Sequence, residues 1–193
     1  MVLKIDLTKT AQIDQLRQEI LNQKVCETLS YSASQLVMGG GDLDAKVMFI
    51  GEAPGKREDQ LGQPFVGASG KFLDQLLLSI GLKREQVYVT NIVKYRPPNN
   101  RDPLPQEKAE FSPYLLKQIK IINPQVIVTL GRHSLSFFLP NARISEVHGQ
   151  LYEFNISTIN LQIIPLYHPA AALYNGGMRQ QLMSDFMVIK QFI

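Results

Sequence analysis

The chain contains one cysteine, Cys26, among its 193 residues. A single thiol excludes an internal disulfide, a four-thiolate zinc site and an iron–sulfur cluster held by four cysteines. A chain with so little cysteine suits a reducing compartment, so we expect an intracellular, cytoplasmic protein. Because Cys26 precedes the first predicted strand, we expect a core thiol there and not a nucleophile.

Long apolar segments are also missing. The longest apolar runs, residues 125–130 and 163–167, are too short to cross a bilayer. The first residues lack the basic, apolar and small-residue pattern of a signal peptide. Hydrophobic residues make up 45% and charged residues 19% of the chain, and this composition excludes a disordered protein. We expect one globular domain, residues 1–193, with residues 1–36 as a helical segment packed on it and no membrane association.

Spacings typical of metal and phosphate chemistry are absent as well. The histidines His133, His148 and His168 are dispersed, and no His-x-x-x-His pair occurs, so we expect no metal site. Segment 51–56, Gly-Glu-Ala-Pro-Gly-Lys, has three residues between its glycines and is followed by Arg57. A phosphate loop needs four residues there and a Ser or Thr after the lysine, so this spacing disfavours a phosphate-handling enzyme.

What is present is an alternation of short apolar strands and amphipathic helices. The predicted strands are residues 46–50, 86–93, 126–130, 151–154 and 161–166. One predicted helix is capped at its start by Thr8 or Thr10. The other predicted helices cover residues 69–80, 105–122, 131–139 and 178–193. This alternation predicts an α/β fold, a three-layer α/β/α sandwich with a central, mostly parallel four-stranded sheet.

Polar residues follow the predicted strands at the edge where such folds bind ligands. His168 precedes Pro169 at a predicted helix start, which favours a neutral imidazole that donates to a developing anion; a structural histidine is the alternative. Asn91 either satisfies backbone groups or pairs with a donor and an acceptor on a base edge. Phe65, in a glycine-containing loop, is either core or a stacking platform for a base.

Basic residues cluster in segment 94–101, Lys-Tyr-Arg-Pro-Pro-Asn-Asn-Arg. Taken alone, this segment is typical of a solvated loop. The net charge of +3 permits an anionic partner without requiring one.

Taken in order, several segments resemble the uracil-DNA glycosylase superfamily, and specifically its family 4. The matching segments are 51–55 (Gly-Glu-Ala-Pro-Gly), 58–59 (Glu-Asp), 62–67 (Gly-Gln-Pro-Phe-Val-Gly), 89–94 (Val-Thr-Asn-Ile-Val-Lys), 96–103 (Arg-Pro-Pro-Asn-Asn-Arg-Asp-Pro), 130–131 (Leu-Gly) and 167–172 (Tyr-His-Pro-Ala-Ala-Ala). The resemblance extends from about Val37 to the end of the chain. It implies a hydrolase of the base excision repair pathway, acting as a monomer on uracil in single- or double-stranded DNA.

The resemblance also implies roles for individual residues. Glu52, Ala53 and Pro54 are expected to line the uracil pocket. Phe65 is expected to stack on the flipped base, and Asn91 to read its polar edge.

Two further residues are expected to take part in the chemistry. The resemblance implies that His168 contacts the uracil oxygen that gains charge as the glycosidic bond breaks. It also implies that Asn100 positions the attacking water, because an amide is no base near neutral pH. Whether Glu52 or Asp59 supplies a carboxylate base stays open.

The expected DNA contacts lie around the same edge. Leu173 and Tyr174 are candidate wedges that enter the helix when the base leaves. The expected phosphate contacts are Lys94, Arg101, Arg132 and Arg179.

The chain departs from the family at the iron–sulfur cluster. The resemblance places the four cluster ligands at Lys24, Glu27, Tyr95 and Phe111, none of which is cysteine. We therefore expect no cluster and no other cofactor.

The leading hypothesis is a monofunctional glycosylase that leaves an abasic site, since no lysine is placed as a Schiff-base nucleophile. The alternative is a cluster-free relative that binds DNA or a base without hydrolysing it.

Overall fold

The computed structural model describes residues 7–156 and 159–193. Its centre is a six-stranded sheet with the strand order β1-β3-β2-β4-β6-β5. The strands are β1 (Gly40–Gly41), β2 (Val47–Gly51), β3 (Tyr88–Asn91), β4 (Val126–Leu130), β5 (Tyr152–Ile156) and β6 (Ile159–Leu166). The inner strands β3, β2, β4 and β6 are parallel, whereas β1 and β5 pair antiparallel at the two edges.

Helices cover both faces of the sheet. They are α1 (Lys9–Asn22), α2 (Glu27–Ser30), α3 (Lys56–Leu61), α4 (Ala68–Ser79), α5 (Pro105–Ile122), α6 (Arg132–Phe138), α7 (Ile144–Val147) and α8 (Gly176–Phe186). Short 3₁₀ turns cover Arg84–Gln86, Pro98–Asn100, Pro169–Ala172 and Met187–Phe192. No helix in the described ranges is both long and apolar enough to cross a membrane.

The three layers follow from the alternation of side chains along buried strands. In β2, Val47 and Phe49 pack into the same apolar cluster as α4 and α8. The intervening Met48 and Ile50 pack on the opposite face, in a cluster with α5. Since all five residues of β2 are buried, this strand lies at the centre of the sandwich. The predicted α/β/α architecture is confirmed. The sheet has six strands instead of the predicted four, because the antiparallel strands β1 and β5 extend the two edges of the four parallel strands.

Element ends differ from the predictions where local interactions decide them. The predicted strand 86–93 is shorter, because Gln86 lies in a 3₁₀ turn and Ile92 donates to the Gly51 carbonyl beyond the strand. The predicted terminal helix ends at Phe186 and continues as a 3₁₀ turn, which apolar periodicity cannot distinguish from an α-helix. The segment between β2 and residue 67 contains a helix that the sequence does not predict, α3, which Gly62 caps with a φ of 70°.

A third apolar cluster lies between α1 and α5. Cys26 is buried there, with 1% of its surface exposed. The rings of Tyr95 and Phe111 meet edge to face in this cluster, with their centroids 5.9 Å apart. Lys24 and Glu27 are exposed at its margin. Two of the four positions where the family resemblance places metal ligands are thus occupied by packed aromatic rings, and the other two by exposed charged residues.

Candidate active site

A cavity of about 360 Å³ opens at the carboxyl edge of the sheet. Its lining residues are Glu52, Ala53, Pro54, Gly55, Glu58, Phe65, Ser69, Asn91, Pro97, Asn100, Arg101, Asp102, His168 and Ala170. They come from segments that follow β2, β3 and β6, so the parallel strands bring distant parts of the sequence to one edge. This volume is within the usual range for small-molecule sites, roughly 300–1,000 Å³.

The end of β2 packs tightly against two pocket side chains. A Cβ atom on Gly51 would lie 2.5 Å from Asn91 Oδ1 and 2.6 Å from Phe65 Cζ. Such distances are far inside van der Waals contact, so a side chain at this position would displace both residues. Gly51 therefore lets Asn91 and Phe65 approach the same wall of the cavity.

Phe65 is held in an uncommon backbone conformation. Its φ is 53°, a left-handed value that is unfavourable for a bulky residue. The adjoining backbone is fixed by Glu58 Oε1, which accepts N–H bonds from Val66 and Gly67 at 2.9 and 2.8 Å. Arg84 donates to the carbonyl of Pro64, the residue before Phe65, at 2.7 Å. These contacts stabilise a strained loop that presents the Phe65 ring to the cavity.

Asn91 ends β3 with an unsatisfied side-chain oxygen. The residue is 2% exposed, and its Oδ1 finds no hydrogen-bond partner in the described part of the chain. A buried polar atom without a partner costs about 1–3 kcal/mol. Since Asn91 lines the cavity, this oxygen is available to a ligand that donates a hydrogen bond.

His168 lies opposite Phe65, with ring centroids 5.6 Å apart. Its Nδ1 accepts the N–H of Ala170 at 3.1 Å, which leaves the proton of the neutral ring on Nε2. Burial lowers the pKa of His168 to about 4, against a smaller opposing effect of Glu58. The imidazole is therefore neutral near pH 7, and burial is the cause instead of the helix start on which the sequence expectation rested.

Glu52 lies at the cavity beside a second carboxylate. Burial first, and the charge of Asp102 second, raise the pKa of Glu52 to about 7. Its Oε1 lies 3.7 Å from His133 Nε2, and Asp102 Oδ2 lies 3.0 Å from the same nitrogen. Arg132 donates to both His133 and Asp102 at 3.0 Å. A carboxyl group with a pKa near neutrality is well suited to proton transfer.

Glu52, Asp102 and His133 are also the set of described residues whose ligand atoms converge as metal ligands do, within 4.8 Å of one another. Two of these three residues, His133 and Asp102, already accept hydrogen bonds from the Arg132 guanidinium.

The two other residues considered for water activation lie in different surroundings. Asn100 lines the mouth of the cavity, and its Oδ1 accepts from Arg96 Nε at 2.7 Å. Asp59 is 3% exposed, and its two oxygens accept the N–H and O–H of Ser34 at 2.8 and 2.9 Å. Asp59 is therefore occupied within the protein, whereas Glu52 faces the cavity.

Lys94 does not lie on the surface, and its predicted role as a phosphate contact is wrong. Its side chain is 0% exposed, because it folds back beneath β3 and bonds to interior groups. A side chain that no solvent reaches cannot contact DNA.

The other predicted DNA contacts are at the surface. Arg132 is 71% exposed, and Arg101 is partly engaged by Glu107. Arg179 lies over the Phe72 ring and donates to Gln75. Of the two candidate wedges, Tyr174 is 98% exposed, whereas Leu173 packs partly against the core.

The sequence assigns no role to four residues around the cavity: Glu58, Arg84, Asp102 and His133. Glu58 and Asp102 stand inside the matching segments, yet their partners are backbone groups or residues about 30 positions away. Such pairings carry no spacing signal, and only the fold brings them together.

Comparisons with known proteins agree with this geometry. A profile of the Uracil DNA glycosylase superfamily matches residues 38–188. The Type-4 uracil-DNA glycosylase of Archaeoglobus fulgidus is 44% identical over 182 residues, covering 92% of this chain and 91% of the relative. The Type-4 uracil-DNA glycosylase of Thermotoga maritima is 41% identical over 183 residues, covering 91% and 94%. The chain therefore belongs to the type-4 family of the uracil DNA glycosylase superfamily.

Proposed function

We propose that the protein hydrolyses the N-glycosidic bond of uracil in DNA and leaves an abasic site. The observation that carries this proposal is the unsatisfied Oδ1 of buried Asn91 in a cavity shared with Phe65 and His168. Uracil offers an N–H donor next to a carbonyl acceptor, which matches the acceptor and donor of one side-chain amide. The names of the type-4 relatives support the same activity.

The base enters the cavity after it leaves the DNA stack, because its glycosidic carbon is out of reach within the duplex. Stacking on the Phe65 ring and pairing with Asn91 repay part of the cost of extrusion. The strained loop holds the ring in place before the base arrives, so less ordering is needed on binding.

Bond cleavage leaves a uracil anion and a sugar with cationic character. We infer that the Nε2–H of His168 donates to the uracil oxygen on which the negative charge develops. A neutral donor suits this step, because it stabilises the anion without having to transfer a proton.

Water then adds to the sugar. Glu52, with its raised pKa, accepts the proton from this water, and the amide of Asn100 positions it. The hydrogen bond from Arg96 occupies one lone-pair site of Asn100 Oδ1 and fixes the orientation of the amide.

DNA binds across the edge around the cavity. Tyr174 fills the gap left by the base, and Arg132, Arg101 and Arg179 contact phosphates. We expect the enzyme to act on DNA as a monomer.

The most direct test is the release of free base from an oligonucleotide with a single uracil, as a single strand and as a duplex. We expect release by the unmodified protein, strong loss in Asn91→Ala, and full retention in Asn155→Ala, which makes the same change on an exposed strand residue. Tight DNA binding without release at any salt concentration would identify the binding module instead.

The pH dependence of excision tests the role of Glu52. Because its pKa is raised to about 7, the base form is lost as the pH falls through neutrality. We expect kcat/KM to decrease tenfold per pH unit below about pH 7, and Glu52→Gln to be about 10²-fold slower without this limb. Glu153→Gln, on an exposed strand residue, is the control; an unchanged limb in Glu52→Gln would exclude Glu52.

We also propose that the enzyme works without an iron–sulfur cluster, because the apolar contact of Tyr95 and Phe111 does not fit metal ligation. The purified protein is expected to be colourless, and a chelator is expected to change neither its stability nor its activity. Stoichiometric iron or visible absorbance after anaerobic purification would contradict this.

The same cluster then stabilises the fold by packing alone. Phe111 is 0% exposed, so Phe111→Ala is expected to lower the free energy of unfolding by about 3–5 kcal/mol. Excision at a temperature where the variant stays folded is expected to be unchanged, since Phe111 does not line the cavity. Denaturant titration and base release measure the two effects separately.

A further inference from the structure

Lys94 is a fully buried lysine for which the proposed chemistry has no use. Lysine is almost never completely buried unless its charge is paired. Burial lowers the pKa of Lys94 to about 7, and no carboxylate opposes this effect in the part of the chain that the structure describes. A lysine that is buried without a carboxylate partner needs other groups that accept its hydrogen bonds.

The partners are three oxygen atoms around one ammonium group. Lys94 Nζ donates to Thr90 Oγ1 at 2.6 Å, to the Asn91 carbonyl at 2.8 Å and to Gln118 Oε1 at 2.7 Å. An ammonium has three N–H donors, whereas a neutral amine has two and a lone pair. Three acceptors therefore match the charged form.

The acceptors are themselves fixed by a second set of hydrogen bonds. The Thr90 hydroxyl donates to the Met38 carbonyl at 2.9 Å. The Gln118 amide nitrogen donates to that carbonyl and to Tyr88 Oη, each at 2.9 Å. With the amide nitrogen engaged there, Gln118 must present its oxygen to Lys94. The network therefore connects α5 to the carboxyl end of β3.

One of the three contacts leads directly to the cavity. Asn91 is the last residue of β3 and pairs in register with Gly51. The side chains of Asn91 and Phe65 pack closely against Gly51 at the cavity wall. Its carbonyl is held by Lys94, while its side chain carries the unsatisfied oxygen. A shift of this peptide group would move the amide that reads the base.

We propose that Lys94 is a positioning residue for base recognition: its buried ammonium holds the Asn91 peptide, and with it the side-chain amide, at the wall of the cavity that receives the base. The proposal rests on the proposed function, because it concerns the recognition of uracil by Asn91.

The test compares Lys94→Met, which keeps length without charge, with Tyr88→Phe. Tyr88→Phe removes a hydroxyl from the same network, but that hydroxyl does not contact Asn91. We expect Lys94→Met to lower kcat by about 10- to 100-fold with less than about a threefold change in KM, and Tyr88→Phe to keep kcat. A raised KM with a weaker salt dependence would instead indicate a phosphate contact and overturn the proposal.

A double-mutant cycle separates positioning from general loosening of the fold. In an Asn91→Ala background, Lys94→Met is expected to cost less than about threefold in kcat, because the side chain that it positions is gone. Additive losses, or an equal loss in Tyr88→Phe, would refute the proposal. Thermal unfolding of each variant sets an assay temperature at which all are folded.

Free uracil titrated into the protein keeps this inference distinct from the proposed function. A protein that binds uracil, releases none from DNA and loses binding in Lys94→Met would retain the positioning role while the hydrolytic function fails. Unchanged uracil binding together with unchanged kcat in Lys94→Met would overturn the positioning role while the hydrolytic function stands.

Discussion

Substitution of His168 by leucine is expected to lower kcat for uracil release by about 10²- to 10³-fold, with little change in the affinity for DNA. The loss is that of one donor aimed at a developing anion in a site shielded from water. The Nδ1 of His168 is engaged by the Ala170 N–H, so only Nε2–H remains to donate. Since this bond strengthens as charge develops, the effect falls on kcat and not on binding.

The pH dependence of stability provides a second readout for His168. The pKa of His168 is about 4 in the folded protein and about 6.5 in the unfolded chain, so the unfolded chain binds the proton first as the pH falls. This linkage destabilises the folded protein between about pH 6.5 and 4. In His168→Leu it is absent, and the acid limb of the stability curve is expected to be shallower.

Two further variants control for the loss of a histidine. His148→Gln removes a histidine that bonds to Asp185 outside the cavity, and it is expected to keep kcat. His168→Gln restores an N–H donor and is expected to recover part of the loss. If His168→Leu keeps full activity while DNA binding is intact, the imidazole does not stabilise the leaving base.

Features that depend on neighbouring residues were predictable from the sequence. The N–H of Ala170 supplies the contact expected from the turn that begins at Pro169, whereas burial lowers the pKa of His168. The four parallel strands follow from short apolar runs between helices. Thr8 caps α1 through its hydroxyl, as one of the two candidate residues.

Features that depend on long-range contacts were not predictable. Lys94 stands among basic residues that suggest a surface, yet Gln118 from α5 and the end of β3 enclose it. Asp102 and His133 meet beside Glu52 because the chain returns to one edge of the sheet. The antiparallel strand β1 has two residues, too few for any periodicity. Tertiary packing determines the position of each of these residues and of β1, and the local sequence pattern does not indicate it.

Substitution of Asn91 by aspartate is expected to be more damaging than substitution by alanine, although aspartate has almost the same shape. Asn91→Ala loses two hydrogen bonds to the base, and we expect this loss to lower kcat/KM by about 10- to 100-fold. Asn91→Asp keeps the acceptor for the uracil N–H but replaces the donor by a second acceptor, which faces the carbonyl oxygen of the base. A buried negative charge beside a leaving anion raises the barrier further, so we expect a loss of about 10³-fold or more near pH 8.

The decisive measurement is the ratio of the two variants across pH. Both retain Glu52, so its titration cancels in the ratio of Asn91→Asp to Asn91→Ala. Burial raises the pKa of the introduced carboxyl group, as it does for Glu52. When the pH falls, that group gains a proton, regains a donor and loses its charge. The ratio is therefore expected to rise toward low pH, and a ratio independent of pH would show that Asn91 does not face the polar edge of the base.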